Sequence, residues 1–291
     1  MVLAASDPRN GPRPARRRPV RWAVVLAVTL LTAMSFHPGT HPAVAAAAGS
    51  AASACRPATG YVDRARGLLD DRYTLGVFPT VRLPHDLTWR EDPLHDVNWV
   101  FRLHSLEPIQ DLVAATASTG DKRFIARAIA LARDWAGDNV TARPPSPFSW
   151  NDHSTAMRAI RLTCLVDARP SLVAITSTGS APWLRRLLIR HGALLADAGF
   201  YRREGNHALN QSIGLLEIGR VVARSDWRSL AARRISNLAS ISIDSQGVTN
   251  EQAVAYQTYN WQRYSLAIAR AGCSTTATRW ACSPRSACRT T

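Results

Sequence analysis

The sequence is poor in lysine, in paired cysteine motifs and in patterns typical of β-strands. Lys122 is the only lysine among 36 basic residues, a bias toward arginine that reflects a GC-rich genome more than a selected chemistry. The five cysteines form no CxxC pair, so the sequence indicates no zinc site. The only fair strand candidate is Val77–Val81, which argues against a protein built on a large β-sheet.

Long apolar runs are also scarce. The run Trp22–Met34 is shorter than the ~20 residues of a comfortable membrane span. It follows the basic segment Arg16–Arg21 and precedes an alanine-rich stretch with small-x-small sites around Ala43–Ala45 and Ala52–Ala54. This order is typical of a cleaved export signal, with a retained anchor as the alternative. We therefore expect residues 1–54 to be a signal peptide and Ala-rich segment, and the mature protein to be secreted or extracytoplasmic without membrane contact.

Composition and charge indicate a globular protein with an anionic ligand. The chain has 291 residues, of which 46% are hydrophobic and 20% charged, so it can bury a substantial core. Part of the net charge of +15 lies in the two ends of the chain, and the central body keeps a moderate positive excess. No groove-reading helix or zinc-finger spacing accompanies this charge, so nucleic acid is not the expected partner.

Between residues 60 and 271, apolar side chains recur at the three- and four-residue spacing of amphipathic helices. Such a series, joined by polar turns, predicts an all-α fold of paired antiparallel helices. No exact repeat supports a regular solenoid, so a closed helical ring is favoured. Cys164 lies in an apolar helical run and is predicted to be a buried small side chain. The predicted helices are residues 61–73, 99–118 with a start or kink at Pro108, 121–138, 154–167, 183–198, 207–225, 227–243 and 252–271.

The helical pattern stops abruptly after Ala271. Residues 272–291 alternate Ser, Thr, Arg and Cys without periodicity, which is typical of a frameshifted or truncated gene and also of a flexible linker. We favour truncation. The sequence thus predicts a folded region over residues 55–271 and an irregular tail over residues 272–291.

Two polar clusters each open a predicted helix. The first contains Asn206 and His207, followed by Asn210 and Gln211 on the same helix face. Gly205 gives the backbone freedom at this helix start, where free amides favour an anion such as a carboxylate.

The second cluster runs from Asp244 to Tyr256. Glu251 precedes its helix, and Tyr256 shares a face with Tyr259 or Asn260. A third candidate cluster begins at Trp150, which offers a sugar-stacking surface, and includes His153 and Arg158 near a helix start.

Asparagine, histidine and tyrosine together suit the removal of a carbon-bound proton next to a carboxylate. The hydrogen on C5 of a uronic acid becomes acidic enough only when a group such as Asn206 or a protonated histidine stabilises the developing enolate-like charge. A histidine, or a tyrosine whose pKa neighbouring arginines lower, can then take the proton. Tyr256 can protonate the departing glycosidic oxygen. The clusters therefore predict an enzyme that cleaves a sugar-acid polymer by elimination.

The order and spacing of several segments resemble the N-terminal α/α-toroid domain of the heparinase II/III-like polysaccharide lyases, which include heparin-sulfate lyases and related alginate lyases. The resemblance covers residues 87–271, about 185 residues. It implies an all-α, incomplete (α/α) toroid of paired antiparallel helices. The segments that carry it are Asn98–His104, Thr119–Phe124, Asp134–Trp135, Trp150–Arg158, Gly205–His207 and Glu251–Tyr256.

The resemblance also implies roles for single residues. Asn206 would neutralise the substrate carboxylate, and His207 would serve as base or carboxylate partner. Tyr256 would be the general acid, with a second role as base left open. The remaining candidates would bind an acidic polysaccharide such as heparan sulfate or alginate. These substrate-binding candidates are Trp150, His153, Arg158, Asn210, Glu251 and Asn260.

The sequence departs from the family in two ways. Family members usually continue into a β-sandwich domain that closes the cleft and contributes a further histidine, and that domain is expected to be absent here. A structural metal, if any, would lie in that domain, so no cofactor is expected. The usual Asp-Gly-Gly before the glutamate is replaced by Asp244-Ser245-Gln246-Gly247.

Two alternatives to the lyase hypothesis stay open. The chain could be a truncated, catalytically inactive carbohydrate-binding toroid, in which Asn206 and His207 merely cap a helix and Tyr256 packs in the core. It could also be a helical-toroid glycoside hydrolase, which needs two opposed carboxylates, and Asp152 and Glu251 are the only obvious pair. The sequence does not indicate an oligomeric state.

Overall fold

The computed structural model describes residue 55, residues 57–174, residues 181–243, residue 259 and residues 262–264. Within these residues the chain forms eight α-helices and one short antiparallel pair of strands, so the predicted all-α class is confirmed. Short 3-10 helices occupy Pro147–Ser149 and Pro170–Leu172. The α-helices are α1 (Tyr61–Leu69), α2 (Val97–His104), α3 (Pro108–Thr119), α4 (Lys122–Asn139), α5 (Asp152–Ala168), α6 (Pro182–Ala196), α7 (Gly205–Val221) and α8 (Ser225–Ser242).

Local signals in the sequence fix where several helices begin. Asp96, Asp121 and Asn151 accept hydrogen bonds from the free backbone amides that open α2, α4 and α5. Pro108 is the first residue of α3, where its missing N–H costs nothing. The predicted helix 99–118 is therefore two helices, and Pro108 begins the second. Tyr259 and residues 262–264 are helical, as the predicted helix 252–271 requires.

The one strand prediction was partly wrong. Strand β2 (Val81–Arg82) pairs antiparallel with β1 (Arg72–Tyr73), with Tyr73 opposite Val81. The predicted helix 61–73 therefore ends early, at Leu69. Tyr73 is fully buried in the core, and this burial requires the chain to leave the helix and extend.

Helices α5 and α7 lie side by side and run parallel. At one end Asp152 contacts His207, and at the other end Arg220 of α7 donates a hydrogen bond to Asp167 of α5. Between these ends a Cβ on Gly214 would lie 3.2 Å from the Cβ of Ala159, so the two helices approach closely. Helix α6 connects them and packs against both. The N-terminal ends of α5 and α7, which carry the first and third polar clusters, therefore meet.

Cys164 is buried, as expected, but the prediction that it is only a small apolar side chain was wrong. It forms a disulfide with Cys55, 109 residues earlier in the sequence. The bond attaches the segment before α1 to the C-terminal part of α5, the helix whose first turn carries Asp152 and His153.

In the part of the chain that the structure describes, no helix combines the length and apolarity that a bilayer span requires. The residues predicted to form the signal segment lie outside that part.

Candidate active site

Three segments build one polar surface. Asp152 and His153 open α5, Asn206 and His207 open α7, and the loop before α7 contributes Arg202. The loop is held by Gln211, whose side chain accepts a hydrogen bond from the backbone N–H of Arg202. The parallel packing of α5 and α7 brings side chains from residues 152–153 and 206–210 together, which no local pattern in the sequence could show.

His207 forms a hydrogen-bonded pair with Asp152. The imidazole Nδ1 lies 2.8 Å from the carboxylate Oδ2 of Asp152. A carboxylate with a low pKa can only accept, so Nδ1 carries the hydrogen and Nε2 presents a lone pair. The side chain of His207 is 43% exposed, and no described residue bonds its Nε2. This geometry is that of a general base whose tautomer a carboxylate fixes.

Asp152 stays ionised because two donors surround it. Burial alone would raise the pKa of this carboxyl, but the hydrogen bonds from Arg202 and His207 outweigh burial and hold the pKa below its usual value. Arg202 donates from Nε to Oδ2 at 2.8 Å. The carboxylate side chain is only 11% exposed, whereas the Arg202 side chain is 62% exposed. A buried negative charge therefore lies directly behind the proposed base.

His153 packs between the base and the interior. Its ring centroid lies 4.1 Å from that of His207 and 4.7 Å from that of Phe101. Burial, and then the charge of His207, lower the pKa of His153 to about 4. His153 is thus neutral at neutral pH.

Asn210 lies behind His153 and does not reach the surface. Its amide nitrogen is 3.3 Å from Nε2 of His153 and donates to the hydroxyl of Tyr259 at 3.0 Å. The side chain is fully buried. This placement corrects the prediction that Asn210 contacts the substrate, because no surface of the amide faces solvent.

Asn206 is half-buried in the first turn of α7. Its amide makes none of the hydrogen bonds found among the described residues, so it is available to a ligand. Gly205 adopts a φ of 69°, the left-handed region that glycine tolerates, at the residue where the loop turns into the helix. The role predicted for Asn206 agrees with this placement and stays a prediction.

Trp150 lies half-buried at the edge of an aromatic cluster. Its indole N–H donates to the carbonyl of Asn139 at 2.7 Å, and the guanidinium of Arg190 lies 4.6 Å from the ring centre. A sugar that stacks on this face would have to displace Arg190. The stacking role therefore stays a prediction.

Arg158 was assigned wrongly to substrate binding. It is fully buried, donates to the carbonyl of His104 at 2.6 Å and to Nε2 of His191 at 2.9 Å, and lies 3.7 Å from the ring centre of Trp135. Burial lowers its pKa well below the ordinary arginine value. Arg158 connects α5 to α2 and α6. Its burial could not be predicted from His153, because residues five apart lie on different faces of a helix.

Three predicted site residues, Glu251, Tyr256 and Asn260, lie outside the described residues. Within the described part of the chain, no group of three or more His, Cys, Asp or Glu side chains could hold a metal ion.

Sequence reasoning missed the roles of Asp152, Arg202 and Tyr259 at the site. Asp152 was considered only as half of a hydrolase pair, although its place beside His153 at a helix start was visible. Tyr259 was named only as an alternative to Asn260 on one helix face. Arg202 lies in a loop, and no spacing rule connects it to Asp152.

Comparison with known proteins identifies the family of the chain. Residues 53–278 match the family model described as Heparinase II/III N-terminus. A search of the curated proteins gives no significant match.

Several solved structures share the fold. The heparan sulfate lyase HepC from Pedobacter heparinus matches with a TM-score of 0.61 and 16% identity, over 74% of this chain and 35% of that one. Heparinase III matches with a TM-score of 0.60 and 18% identity, over 75% and 35%. The heparinase III that is the BT4657 gene product matches with a TM-score of 0.58 and 16% identity, over 75% and 37%. At these identities the likeness concerns the fold, and this chain spans about a third of the length of each solved chain.

Proposed function

The chain belongs to the heparinase II/III N-terminus family, and on that premise we propose that it is an exported polysaccharide lyase, or the N-terminal domain of one. The proposed reaction is β-elimination within a polysaccharide that contains uronic acids, such as heparan sulfate or alginate. The hydrogen-bonded pair of His207 and Asp152 is the observation that carries the proposal. It supplies a base with a fixed tautomer beside Asn206, at the start of a helix.

The proposed mechanism uses the site residues in order. Asn206 and the first amides of α7 hydrogen-bond the uronate carboxylate and stabilise the charge that develops on it. Nε2 of His207 takes the proton from C5, and the imidazolium that forms is stabilised by the ionised Asp152 behind it. The electron pair of the C5–H bond forms the C4–C5 double bond, and the C4–O bond breaks. The departing oxygen takes a proton from Tyr256, so no water is consumed.

The substrate class follows from charge and from the relatives. The central body carries a positive excess, and the exposed Arg202 binds the carboxylate behind the proposed base. The solved chains with this fold are named as heparan sulfate lyases and heparinases. These observations favour an anionic polysaccharide, with heparan sulfate first among the polymers to test.

The glycoside hydrolase alternative loses support at Asp152. A hydrolase requires one carboxyl that stays protonated to serve as general acid, and this role needs a raised pKa. The pKa of Asp152 is lowered, although burial acts against it, because Arg202 and His207 donate to the carboxylate. The lowered pKa of Asp152 does not fit the acid role, so a hydrolase would need Glu251 as its acid and Asp152 as its base or nucleophile.

Export is supported by the disulfide between Cys55 and Cys164. Disulfides form and persist in oxidising compartments and are rare in reducing ones. Together with the basic and apolar segments near the N-terminus, this bond favours a secreted or extracytoplasmic protein.

The proposal is tested by incubating the protein with heparan sulfate, hyaluronan, alginate and similar polymers. Elimination gives unsaturated products, which absorb in the ultraviolet. New reducing ends without that absorbance would indicate hydrolysis, and binding without either signal would indicate the inactive carbohydrate-binding alternative.

Variants then assign the signal to the site. His207→Gln should abolish elimination, and Tyr256→Phe should reduce it strongly. His85→Gln is the matched control, because His85 also pairs with a carboxylate, that of Asp71 at 2.9 Å, but on an exposed surface. Loss of elimination in the control as well would contradict the assignment.

A further inference from the structure

We propose that His153 is a positioning residue: its imidazole, fixed in one tautomer by Asn210 and Tyr259, is the neutral surface against which the His207 ring is held. This inference rests on the proposed function only in naming His207 as the base. In this proposal Tyr259 and Asn210 together orient His153, and their loss is expected to lower kcat.

The first step concerns the hydrogen bonds of Asn210. The amide is fully buried, so each of its polar atoms needs a partner within the protein. One N–H points to Nε2 of His153 at 3.3 Å, the other donates to the hydroxyl of Tyr259 at 3.0 Å, and that hydroxyl lies 3.3 Å from the amide oxygen. In this orientation the amide nitrogen faces His153, and the Tyr259 hydroxyl, which can both donate and accept, bonds both polar atoms of the amide and holds the side chain in place.

The second step concerns the tautomer of His153. An amide N–H can only donate, so Nε2 of His153 accepts and Nδ1 carries the hydrogen. If Nε2 were protonated, its N–H would face the amide N–H of Asn210. Two donors cannot form a hydrogen bond, so the contact would be lost. The network consequently opposes a positive charge on His153, in the same direction as burial.

The third step connects His153 to the base. The two ring centroids are 4.1 Å apart with 34° between the ring planes. When His207 accepts a proton, a second cation at this distance would destabilise the imidazolium, whereas a neutral ring does not. The charged and titratable groups that face His153 are His207, Asp152, Arg161 and Arg263. Of these only Asp152 is negative, and it is engaged by Arg202 and His207.

The first test does not need a substrate. In protein with ¹⁵N-labelled histidine, His153 should carry its hydrogen on Nδ1 at pH 7 and stay neutral below pH 6. A hydrogen on Nε2, or titration of His153 at an ordinary histidine pH, would overturn the inference. Because the readout is spectroscopic, it stands even if no tested polysaccharide is cleaved.

The second test removes the hydroxyl that orients Asn210. Tyr259→Phe should allow both tautomers of His153. We expect kcat to fall by about tenfold with KM nearly unchanged, because residues that orient a catalytic histidine without contacting the substrate affect the chemical step rather than binding. Tyr61→Phe is the matched control, because Tyr61 opens α1 and bonds none of the site residues. An unchanged tautomer in Tyr259→Phe would contradict the inference.

The third test replaces the hydrogen-bond donor that faces His153 with a charged acceptor. Asn210→Asp places an acceptor against His153, which stabilises its imidazolium and should raise its pKa. The acid limb of the kcat/KM profile should then move to higher pH, because the histidine pair gains a proton earlier as pH falls. Asn210→Leu, which has a similar size but no polar atom and no charge, should leave the acid limb near its original pH. Identical profiles in all three proteins would sink the positioning role and leave the proposed elimination untouched.

Discussion

Asp152 and His207 lie 55 residues apart in the sequence, yet their side chains meet at 2.8 Å where two parallel helices begin. The relationship depends on both helix starts: Asn151 caps α5, whose first residue is Asp152, and Gly205 turns the chain into α7 two residues before His207. The pair fixes the tautomer of a helix-start histidine, as the proposed role of base requires.

Replacing Asp152 by asparagine should keep the shape of the site unchanged and remove the negative charge behind His207. The amide can stabilise the wrong tautomer of His207 and cannot stabilise the imidazolium, so we expect kcat/KM to fall by about 100-fold or more. The measurement is the initial rate of ultraviolet absorbance on a cleaved polymer. Asp71→Asn, at the surface pair with His85, is the control, and equal losses in both variants would contradict the role of Asp152.

Replacing Arg202 by glutamine should raise the pKa of Asp152. Because the folded pKa is depressed, Asp152 contributes stability above its unfolded pKa, and this contribution is lost as pH falls through the folded value. Without Arg202 the folded pKa lies closer to the unfolded value, so the loss should be smaller and should be complete at a higher pH. At neutral pH the free energy of unfolding should change little, because the Arg202 side chain is mostly exposed. Urea unfolding at several acidic pH values measures both effects, and a loss of the same size over the same acidic range in both proteins would contradict the expectation.

Acid should destabilise the protein partly through buried histidines. The pKa of His104 and that of His153 are both lowered to about 4, chiefly by burial. Between the unfolded value of about 6.5 and the folded value of about 4, the unfolded chain binds more protons, so stability falls as pH falls through this window. His153→Asn should lose less stability than the wild type over the same window. An identical pH dependence of urea unfolding in the two proteins would show that His153 does not contribute.

Reduction of the disulfide should destabilise the fold without touching the site directly. The Cys55–Cys164 bond closes a loop of 109 residues, and its loss is expected to cost about 2–5 kcal/mol. Cys55→Ala combined with Cys164→Ala should lower the urea midpoint by the same amount as a reductant lowers that of the wild type. A midpoint unchanged by reductant would indicate that the bond contributes nothing.

The close approach of α5 and α7 should make Gly214 intolerant of larger side chains. A Cβ at Gly214 would lie 3.0 Å from the carbonyl oxygen of Ala156, so Gly214→Val should cost about 1–3 kcal/mol. Gly137→Val is the control, because a Cβ at Gly137 meets nothing within 4 Å. Since the same packing aligns Asp152 with His207, activity should fall in the first variant and persist in the second.

Much of the helical framework was predictable because it is encoded locally. Apolar spacing gave the helices to within a few residues, and Pro108, Asp121 and Asn151 mark helix starts through chemistry that acts over one turn. The helix 61–73 was predicted too long because the core, rather than propensity, decides where Tyr73 lies.

The candidate site was only partly predictable. Asn206 and His207 were found because polar residues at a helix start are visible in the sequence. Arg158 and Asn210 were assigned to the substrate because helical spacing gives a face but does not say whether that face looks into the core or out to solvent.

The sequence by itself determined the helix series, the polar clusters at helix starts and the family, since each depends on residues close together in the chain or on a conserved order of segments. Only the tertiary structure decided that α5 and α7 run parallel, that Asp152 supports His207, that Arg158 is buried and that Cys55 bonds Cys164. These relationships join residues between 33 and 109 positions apart. They depend on how whole helices pack, and side-chain periodicity carries no information about which distant helix becomes the neighbour.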